Sequence, residues 1–183
     1  EVHNNKGYAY SQLMHYEEAL AAYQQAIQLN PKFALAYHNK ANMHLRLKQY
    51  QEALDGFELA IQLNSNYAEA YNGKATVLTR TRHYQEAFQA YEQAIRISPN
   101  NANVWRNIGK TLFELEQYNE ALTVLERAIQ LAPNHIDALL DKGNLFNVLN
   151  RYEEALATFE QVIRLDPNNA DAYNGKGNAL NGL

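Results

Sequence analysis

The sequence predicts an all-α fold, a solenoid of stacked helix pairs, and three observations support this prediction. The same pattern of residue sizes and polarities recurs every 34 residues along the 183-residue chain, without an insertion or a deletion. Each period contains two stretches whose apolar residues follow the spacing of an amphipathic helix, and no stretch has a convincing strand pattern. Repeats of this length cannot bury their apolar faces alone, so neighbouring repeats are expected to stack around a continuous core.

The repeat from residue 102 to residue 135 shows the pattern most clearly. The apolar face of its first predicted helix consists of Val104, Trp105, Ile108, Leu112 and Leu115. The apolar face of its second helix consists of Ala121, Leu122, Leu125, Ala128 and Ile129. A short turn around residues 116–117 joins the two helices, and Pro133 ends the second because proline cannot continue a helix. Three residues must be small so that the helices can approach closely: Gly109, Ala121 and Ala128.

The same positions recur in the other repeats. The small residue of the first helix is Gly7, Ala41, Ala75, Gly109, Gly143 or Gly177. A tyrosine opens each second helix, and the large residue within that helix is Tyr23, Phe57, Tyr91, Leu125 or Phe159. The second helices end at Pro31, Pro99, Pro133 and Pro167, with Ser65 as the one replacement. Asn101 and Asn169 stand where an N-cap of the next first helix is expected.

Composition argues against several classes of function. The formal net charge of −4 and the pI of about 5.9 disfavour a nucleic-acid-binding protein, which usually has a basic surface. No apolar run approaches the roughly 20 residues of a membrane span. The chain has no cysteine, and its six histidines show no metal-ligand spacing. We therefore expect no catalytic residues, no metal and no cofactor.

The pattern resembles the tetratricopeptide repeat, whose signature places an aromatic residue, Leu-Gly, Tyr, Ala, Phe and Pro at set offsets in a 34-residue period. The resemblance covers residues 1–183 as one array, with repeats 1–33, 34–67, 68–101, 102–135 and 136–169 and the first helix of a sixth at 170–183. One departure is systematic. Where the family usually places leucine before the small residue, this chain has Lys40, Lys74, Lys142 and Lys176, and only Ile108 conforms. We interpret these lysines as covering apolar surface with their stems while the ammonium groups stay in water.

The resemblance implies a right-handed superhelix whose first helices line a concave groove. Asparagine is abundant on that expected face, although it costs about 0.5 kcal/mol relative to alanine within a helix. An asparagine amide can hydrogen-bond the backbone of an extended peptide whatever its side chains, and arrays in the O-linked N-acetylglucosamine transferase and importin-like families use asparagine rows in this way. The alternative is a solvated helix surface of biased composition. The candidate peptide-binding residues are Asn39, Asn42, Asn72, Arg80, Asn107, Lys110 and Asn144.

Charges are divided along the expected groove. The basic residues Arg46, Arg80, Arg106 and Lys110 lie in its middle, and Asp137, Asp141 and Asp171 lie towards its C-terminal end. A ligand with an acidic stretch followed by a basic one would match this division. The chain does not supply the two-carboxylate clamp with which some members of the family hold a chaperone tail, since Asn39 is followed by Glu69 and Gly73.

The favoured function is a non-catalytic scaffold that binds a protein or peptide ligand in this groove. Self-assembly is the second hypothesis, because Val2, Ala9 and Leu13 at one end and Tyr173 and Leu180 at the other lack a covering helix. A regulatory or targeting segment of a larger enzyme, such as a kinase or a glycosyltransferase, is a third. An RNA reader is disfavoured by the acidic pI and the mixed groove. We expect the chain to be a fragment of a longer, bacterial-type array.

Overall fold

The computed structural model describes residues 1–183 and is entirely α-helical between short connections. Its eleven helices are α1 (Val2–Gln12), α2 (Tyr16–Leu29), α3 (Ala34–Arg46), α4 (Tyr50–Leu63), α5 (Ala68–Arg80), α6 (Tyr84–Ile97), α7 (Ala102–Glu114), α8 (Tyr118–Leu131), α9 (Ile136–Val148), α10 (Tyr152–Leu165) and α11 (Ala170–Gly182). The predicted all-α solenoid of antiparallel helix pairs is confirmed, and α3, α5, α7, α9 and α11 begin where the repeats were expected to begin. None of these helices combines the length and the hydropathy needed to cross a membrane.

The helices form two compact units, Glu1–Pro99 and Asn100–Leu183. In the first unit, α1 packs on α2, α3 on α4 and α5 on α6, and α2 and α4 also pack on α3 and α5 of the next repeats. In the second unit, α7 packs on α8, α9 on α10, and α11 against both α9 and α10. Within each unit the helices of adjacent repeats therefore pack against each other. The single array predicted for residues 1–183 stays a prediction.

Two of the core clusters contain a fully buried phenylalanine ring with small residues around it. Phe57 and Phe159 are both 0% exposed, and alanines from neighbouring helices surround them. The residues predicted to be small in the repeat at 102–135 are all buried, with Ala121 and Ala128 at 0% exposure. A Cβ atom on Gly109 would lie 2.8 Å from Cγ of Leu125. The small residues are thus required by close helix contact, as the sequence predicted.

The helix ends also follow the sequence signals. Asn101 and Asn169 accept hydrogen bonds from the backbone N–H groups of Asn103 and Ala172, and these are the two N-caps expected from the sequence. The second helices that precede a proline end two residues before it. These caps satisfy N–H groups that a helix leaves without an internal partner.

The turn within each repeat places a residue in the left-handed region of backbone conformation. These residues are Met14 (φ 61°), Lys48 (φ 59°), Arg82 (φ 63°), Glu116 (φ 60°) and Asn150 (φ 57°). The following N–H group donates to a carbonyl five residues earlier, which closes the end of the first helix as in a Schellman motif. Asparagine tolerates this conformation better than other non-glycine residues, so only Asn150 is well matched to its turn.

This conformation leads to a prediction about stability. We expect Lys48→Asn to raise the free energy of unfolding by about 0.5–1 kcal/mol, because it relieves backbone strain without adding the flexibility of glycine. The matched exchange Asn150→Lys should lower it by a similar amount. Urea denaturation followed by circular dichroism would measure both, and changes of the same sign would contradict this account of the turns.

The repeated lysines form contacts that the sequence interpretation did not include. Their ammonium groups bond to side chains of the preceding second helix, always 16 residues earlier: Lys40 to Gln24 (2.8 Å), Lys74 to Glu58 (2.7 Å), Lys142 to Glu126 (3.0 Å) and Lys176 to Glu160 (2.9 Å). All four lysines remain partly exposed, so the expectation that their ammonium groups stay in water stays a prediction. The polar partner belongs to the adjacent repeat, so it could be found only from the stacking of repeats. These bonds replace the apolar contact of the usual leucine.

Candidate functional site

In the second unit, the candidate face is formed by the first helices α7, α9 and α11. Arg106 of α7 is bound to two carboxylates of α9, with Nη1 3.1 Å from Oδ2 of Asp137 and Nε 2.6 Å from Oδ2 of Asp141. Arg106 and Asp141 are mostly buried, with 20% and 22% of their side chains exposed. Arg106 is therefore committed to its own chain, and the expected role of this cation in binding an acidic ligand is not supported.

A cavity of about 320 Å³ opens on this face between α7 and α9. We call it the apolar pocket, and it is lined by Gly109, Lys110, Phe113, Glu114, Leu125, Asp141 and Asn144. Leu125 is 2% exposed and reaches the pocket from α8. Phe113 and Leu125 supply apolar walls, while Lys110 and Asn144 bring polar groups to the same space. The structure thus brings together two of the residues that the sequence predicted to bind a peptide.

The origin of the apolar pocket lies in the side chain at position 125. In the repeats at 34–67 and 136–169 this position holds Phe57 and Phe159, and each ring lies directly against the adjacent first helix. A Cβ atom on Gly73 would lie 2.3 Å from Cε1 of Phe57, and one on Gly175 would lie 2.3 Å from Cζ of Phe159. The residue at the corresponding position of α9 is Asp141, which lines the pocket together with Leu125. The smaller leucine leaves open a volume that an aromatic ring fills elsewhere.

The same packing explains why Gly73 interrupts the row of asparagines. Phe57 requires glycine opposite it, since any side chain there would overlap the buried ring. Asp141 interrupts the row for a different reason, because its carboxylate binds Arg106. The asparagine row is therefore shaped by intramolecular packing at these two positions.

A second cavity, of about 220 Å³, lies beside the first and reaches α11. We call it the acidic pocket, and it is lined by Arg106, Asp137, Leu140, Asp141, Asn144, Asp171, Asn174, Gly175 and Asn178. Asp141 and Asn144 belong to both pockets. Three carboxylates and one guanidinium leave the acidic pocket with two net negative charges at neutral pH. Its floor is held in part by Asn147, whose amide donates to the carbonyl of Gly175 at 3.0 Å.

In the first unit, two of the predicted binding residues are occupied by their own chain. The amide of Asn39 donates to Oδ1 of the buried Asn4 at 3.0 Å. The amide nitrogen of Asn42 lies 2.9 Å from Nε2 of His38. Both asparagines are half-buried, as is Asn72 of α5, whereas Arg80 is exposed. In the second unit, Asn107 and Lys110 are half-buried and Asn144 is exposed, so the predicted set differs widely in accessibility.

His38 is the one histidine whose surroundings clearly change its chemistry. Its ring packs 4.9 Å from the ring of Tyr67 and 5.5 Å from that of Phe57, measured between centroids. Burial lowers the pKa of His38 to about 4, because the charged imidazolium would lose its hydration. The ring is therefore neutral at pH 7, and Nε2 can accept from Asn42. Burial also raises the pKa of Tyr67 to about 12, and Glu69 adds to this effect.

The low pKa of His38 predicts that acid destabilises the protein. In the unfolded chain the pKa returns to about 6.5, so the unfolded state binds a proton first as the pH falls. Stability from this residue is complete above pH 6.5 and is lost as the pH falls towards 4. We expect a loss of about 2 kcal/mol between pH 7.5 and about pH 5. His38→Asn should be less stable at neutral pH but lose less on acidification, and equal losses in both proteins would contradict the assignment.

The sequence expectation about exposed apolar residues at both ends is confirmed. Val2 and Leu13 are 79% and 65% exposed, and Tyr173 and Leu180 are 52% and 55% exposed. The structure contains no group of three or more His, Asp or Glu side chains placed to hold a metal ion. Sequence reasoning did not identify Leu125 as a residue that lines a pocket. The sequence does contain a signal for it, because Leu125 is the one residue that is not aromatic among the five equivalent positions.

Comparisons with known proteins agree with this architecture. Family models described as tetratricopeptide repeat match residues 1–33, 32–100, 78–140 and 112–179. TTC0263, a thermophilic TPR protein in Thermus thermophilus, is 21% identical, with 97% of each chain covered and a TM-score of 0.87. Pseudomonas aeruginosa pilF is 19% identical, with 99% of this chain and 87% of the other covered and a TM-score of 0.79. At these identities the likeness concerns the fold.

A third structure is more similar in sequence. YrrB, described as a TPR protein with an unusual peptide-binding site, is 32% identical, with 87% of this chain and 82% of the other covered and a TM-score of 0.62. The search of curated proteins gives no match. The matches give no support to the expectation that the chain is a fragment of a longer array. The chain belongs to the tetratricopeptide repeat family, whose members act as scaffolds for protein interactions.

Proposed function

We propose that this protein is a non-catalytic scaffold that binds an extended peptide segment of a partner protein along the faces of its first helices. The observation that carries the proposal is the pair of adjacent open pockets on α7, α9 and α11. Lys110 lines the apolar pocket and Asn144 lines both pockets, and neither side chain has a hydrogen bond to the rest of the chain. Open cavities next to unpaired polar groups are the usual form of a binding site.

The polar groups of this face fit the backbone of an extended chain. The amide of Asn144 can donate to a peptide carbonyl and accept from a peptide N–H group, and the ammonium group of Lys110 can donate to a carbonyl. Asn107 extends the same helix face by one turn. The other predicted binding residues, Asn39, Asn42, Asn72 and Arg80, lie in the first unit, and all four also interact within the chain, Asn39 with Asn4 and Asn42 with His38. The peptide-binding site described for the relative YrrB supports this choice of ligand class.

Selection from a random peptide library tests the proposal directly. Phage displaying random dodecapeptides would be selected on the immobilised protein, and enriched peptides would be titrated by calorimetry. We expect the double variant Lys110→Ala, Asn144→Ala to weaken binding by about tenfold or more, since each lost hydrogen bond is worth about 1 kcal/mol. The matched control Glu120→Ala, Gln130→Ala changes exposed residues of α8 and should bind as the wild type does. Equal weakening in both double variants would contradict the proposal.

Self-assembly is a second candidate function, favoured by the exposed apolar residues at the two ends. Burial of a large apolar side chain contributes roughly 1.5–3 kcal/mol, so contacts between Leu13 and Tyr173 surfaces of different molecules would be favourable. Sedimentation equilibrium over a wide concentration range distinguishes the two functions. A mass that stays that of a monomer would exclude self-assembly and leave peptide binding untouched.

A further inference from the structure

We propose that the unit of residues 100–183 selects peptides that carry one large apolar side chain and, about three residues away, a basic side chain. The apolar side chain enters the apolar pocket, and the basic one enters the acidic pocket. This inference rests on the proposed function and names the chemistry of the segment that binds. It assigns the selectivity to Leu125, Phe113 and Asp171.

The apolar pocket suits one large side chain. Its volume of about 320 Å³ is at the lower end of the range for ligand pockets, roughly 300–1,000 Å³, so it admits a single ring rather than a longer group. The equivalent space is occupied from within the chain by the rings of Phe57 and Phe159 in two other repeats, so an aromatic ring suits it. Phe113 adds a ring at a position where the other repeats have Ser11, Leu45, Thr79, Asn147 and Asn181. An aromatic ring at this position is therefore found only in this repeat.

The acidic pocket suits a cation. Arg106 neutralises Asp137 and Asp141 in part, because one guanidinium is shared between two carboxylates. Asp171 lines the same pocket from the first turn of α11, is exposed, and has no ion-pair partner. A lysine or arginine of a ligand would complete the charge balance. Charge complementarity of this kind favours one partner over others more than it raises affinity.

The distance between the pockets sets the spacing of the two side chains. The apolar pocket is lined mainly by α7 and α9 and the acidic pocket mainly by α9 and α11, and both include Asp141 and Asn144. Neighbouring helices pack about 8–10 Å apart, and an extended chain rises about 3.3 Å per residue, which corresponds to about three residues. Asn144 then lies beneath the backbone between the two side chains, where its amide can bond to the peptide.

Three variants of the full chain test the inference by peptide selection and calorimetry. Leu125→Phe fills the apolar pocket with the ring that the chain uses at Phe57 and Phe159. Asp171→Asn removes the unpaired carboxylate. Because the position is exposed, this variant should fold, and it therefore tests the inference even if Leu125→Phe does not fold. Glu153→Gln, which neutralises an exposed acid of α10 outside both pockets, is the matched control.

We expect peptides selected on the wild type to be enriched in an aromatic or large aliphatic residue with Lys or Arg near the third position away. Leu125→Phe should bind these peptides about tenfold or more weakly, because the apolar side chain loses its burial. Asp171→Asn should weaken binding several-fold, with a smaller effect at high salt, and Glu153→Gln should change nothing.

The outcomes separate this inference from the proposed function. The selected peptides could lack the pair of apolar and basic residues and still bind more weakly to the double variant Lys110→Ala, Asn144→Ala. That result would overturn the inference and leave the proposed function standing. Unchanged affinity in both Leu125→Phe and Asp171→Asn would overturn it in the same way. Failure to enrich any peptide would overturn both.

Discussion

Phe159→Ala is expected to lower the free energy of unfolding by about 3–5 kcal/mol, the largest effect of any single substitution considered for this chain. Phe159 is 0% exposed, and its ring lies where Cβ atoms on both Gly143 and Gly175 would overlap it. Removing the ring leaves a cavity between α9, α10 and α11 that small residues cannot fill. Urea denaturation with detection by circular dichroism measures the loss.

The control for this prediction lies in the same helix. Leu165 ends α10 and is 39% exposed, so Leu165→Ala removes a large apolar side chain that is only partly buried. It should cost less than about 1 kcal/mol. A similar cost for both substitutions would show that Phe159 does not organise the core of the second unit.

Gly73→Ala is expected to lower the free energy of unfolding by about 1–3 kcal/mol, although alanine normally stabilises a helix. The added Cβ atom would lie 2.3 Å from Cε1 of Phe57, a ring that is itself fully buried and cannot move away. Gly177→Ala is the matched control, since a Cβ atom there has no neighbour within 4 Å. It should raise the free energy of unfolding by up to about 1 kcal/mol, and a stabilising Gly73→Ala would contradict the packing described.

The pair of positions can also be tested for coupling. In the second unit, Asp141 and Leu125 occupy the positions equivalent to Gly73 and Phe57, so a side chain is tolerated where the facing residue is leucine. Replacing Phe57 by leucine should therefore make room for a side chain at position 73. We therefore expect the double variant Gly73→Ala, Phe57→Leu to be less destabilised than the sum of its single variants. A double-mutant cycle measures this difference. If the losses in the free energy of unfolding were additive, the two positions would not be energetically coupled.

Much of the fold could be predicted from the sequence, because each repeat carries its own local signals. The 34-residue period, the prolines after the second helices and the caps at Asn101 and Asn169 determine where helices begin and end. The small residues Gly109, Ala121 and Ala128 follow from close helix contact within one repeat. All of these features depend on residues that are close to each other in the sequence.

Contacts between repeats were harder to predict. Lys74 looks like a solvated departure from the family pattern until stacking places Glu58 within 2.7 Å. Gly73 looks like a gap in an asparagine row until Phe57 is seen against it. Leu125 looks like an ordinary core residue, yet its smaller side chain leaves the apolar pocket open. Each of these depends on how one helix face meets the next repeat, which the helical period alone does not specify.

The candidate site was predicted in part for the same reason. Lys110 and Asn144 do meet at one pocket, as expected for residues of adjacent first helices. Asn39, Asn42 and Arg106 were expected to face a ligand, but their polar groups bond to Asn4, His38 and two aspartates. A polar residue on the correct helix face is therefore not sufficient evidence of a contact with a ligand.

The most direct test of the central claim is an NMR titration of the ¹⁵N-labelled protein with a peptide selected on it. If first-helix faces bind the partner, the largest shift changes should fall on α7, α9 and α11, including the amide groups of Lys110, Asn144 and Asn174. Changes confined to the second helices α8 and α10, with those three residues unaffected, would contradict the proposed binding face.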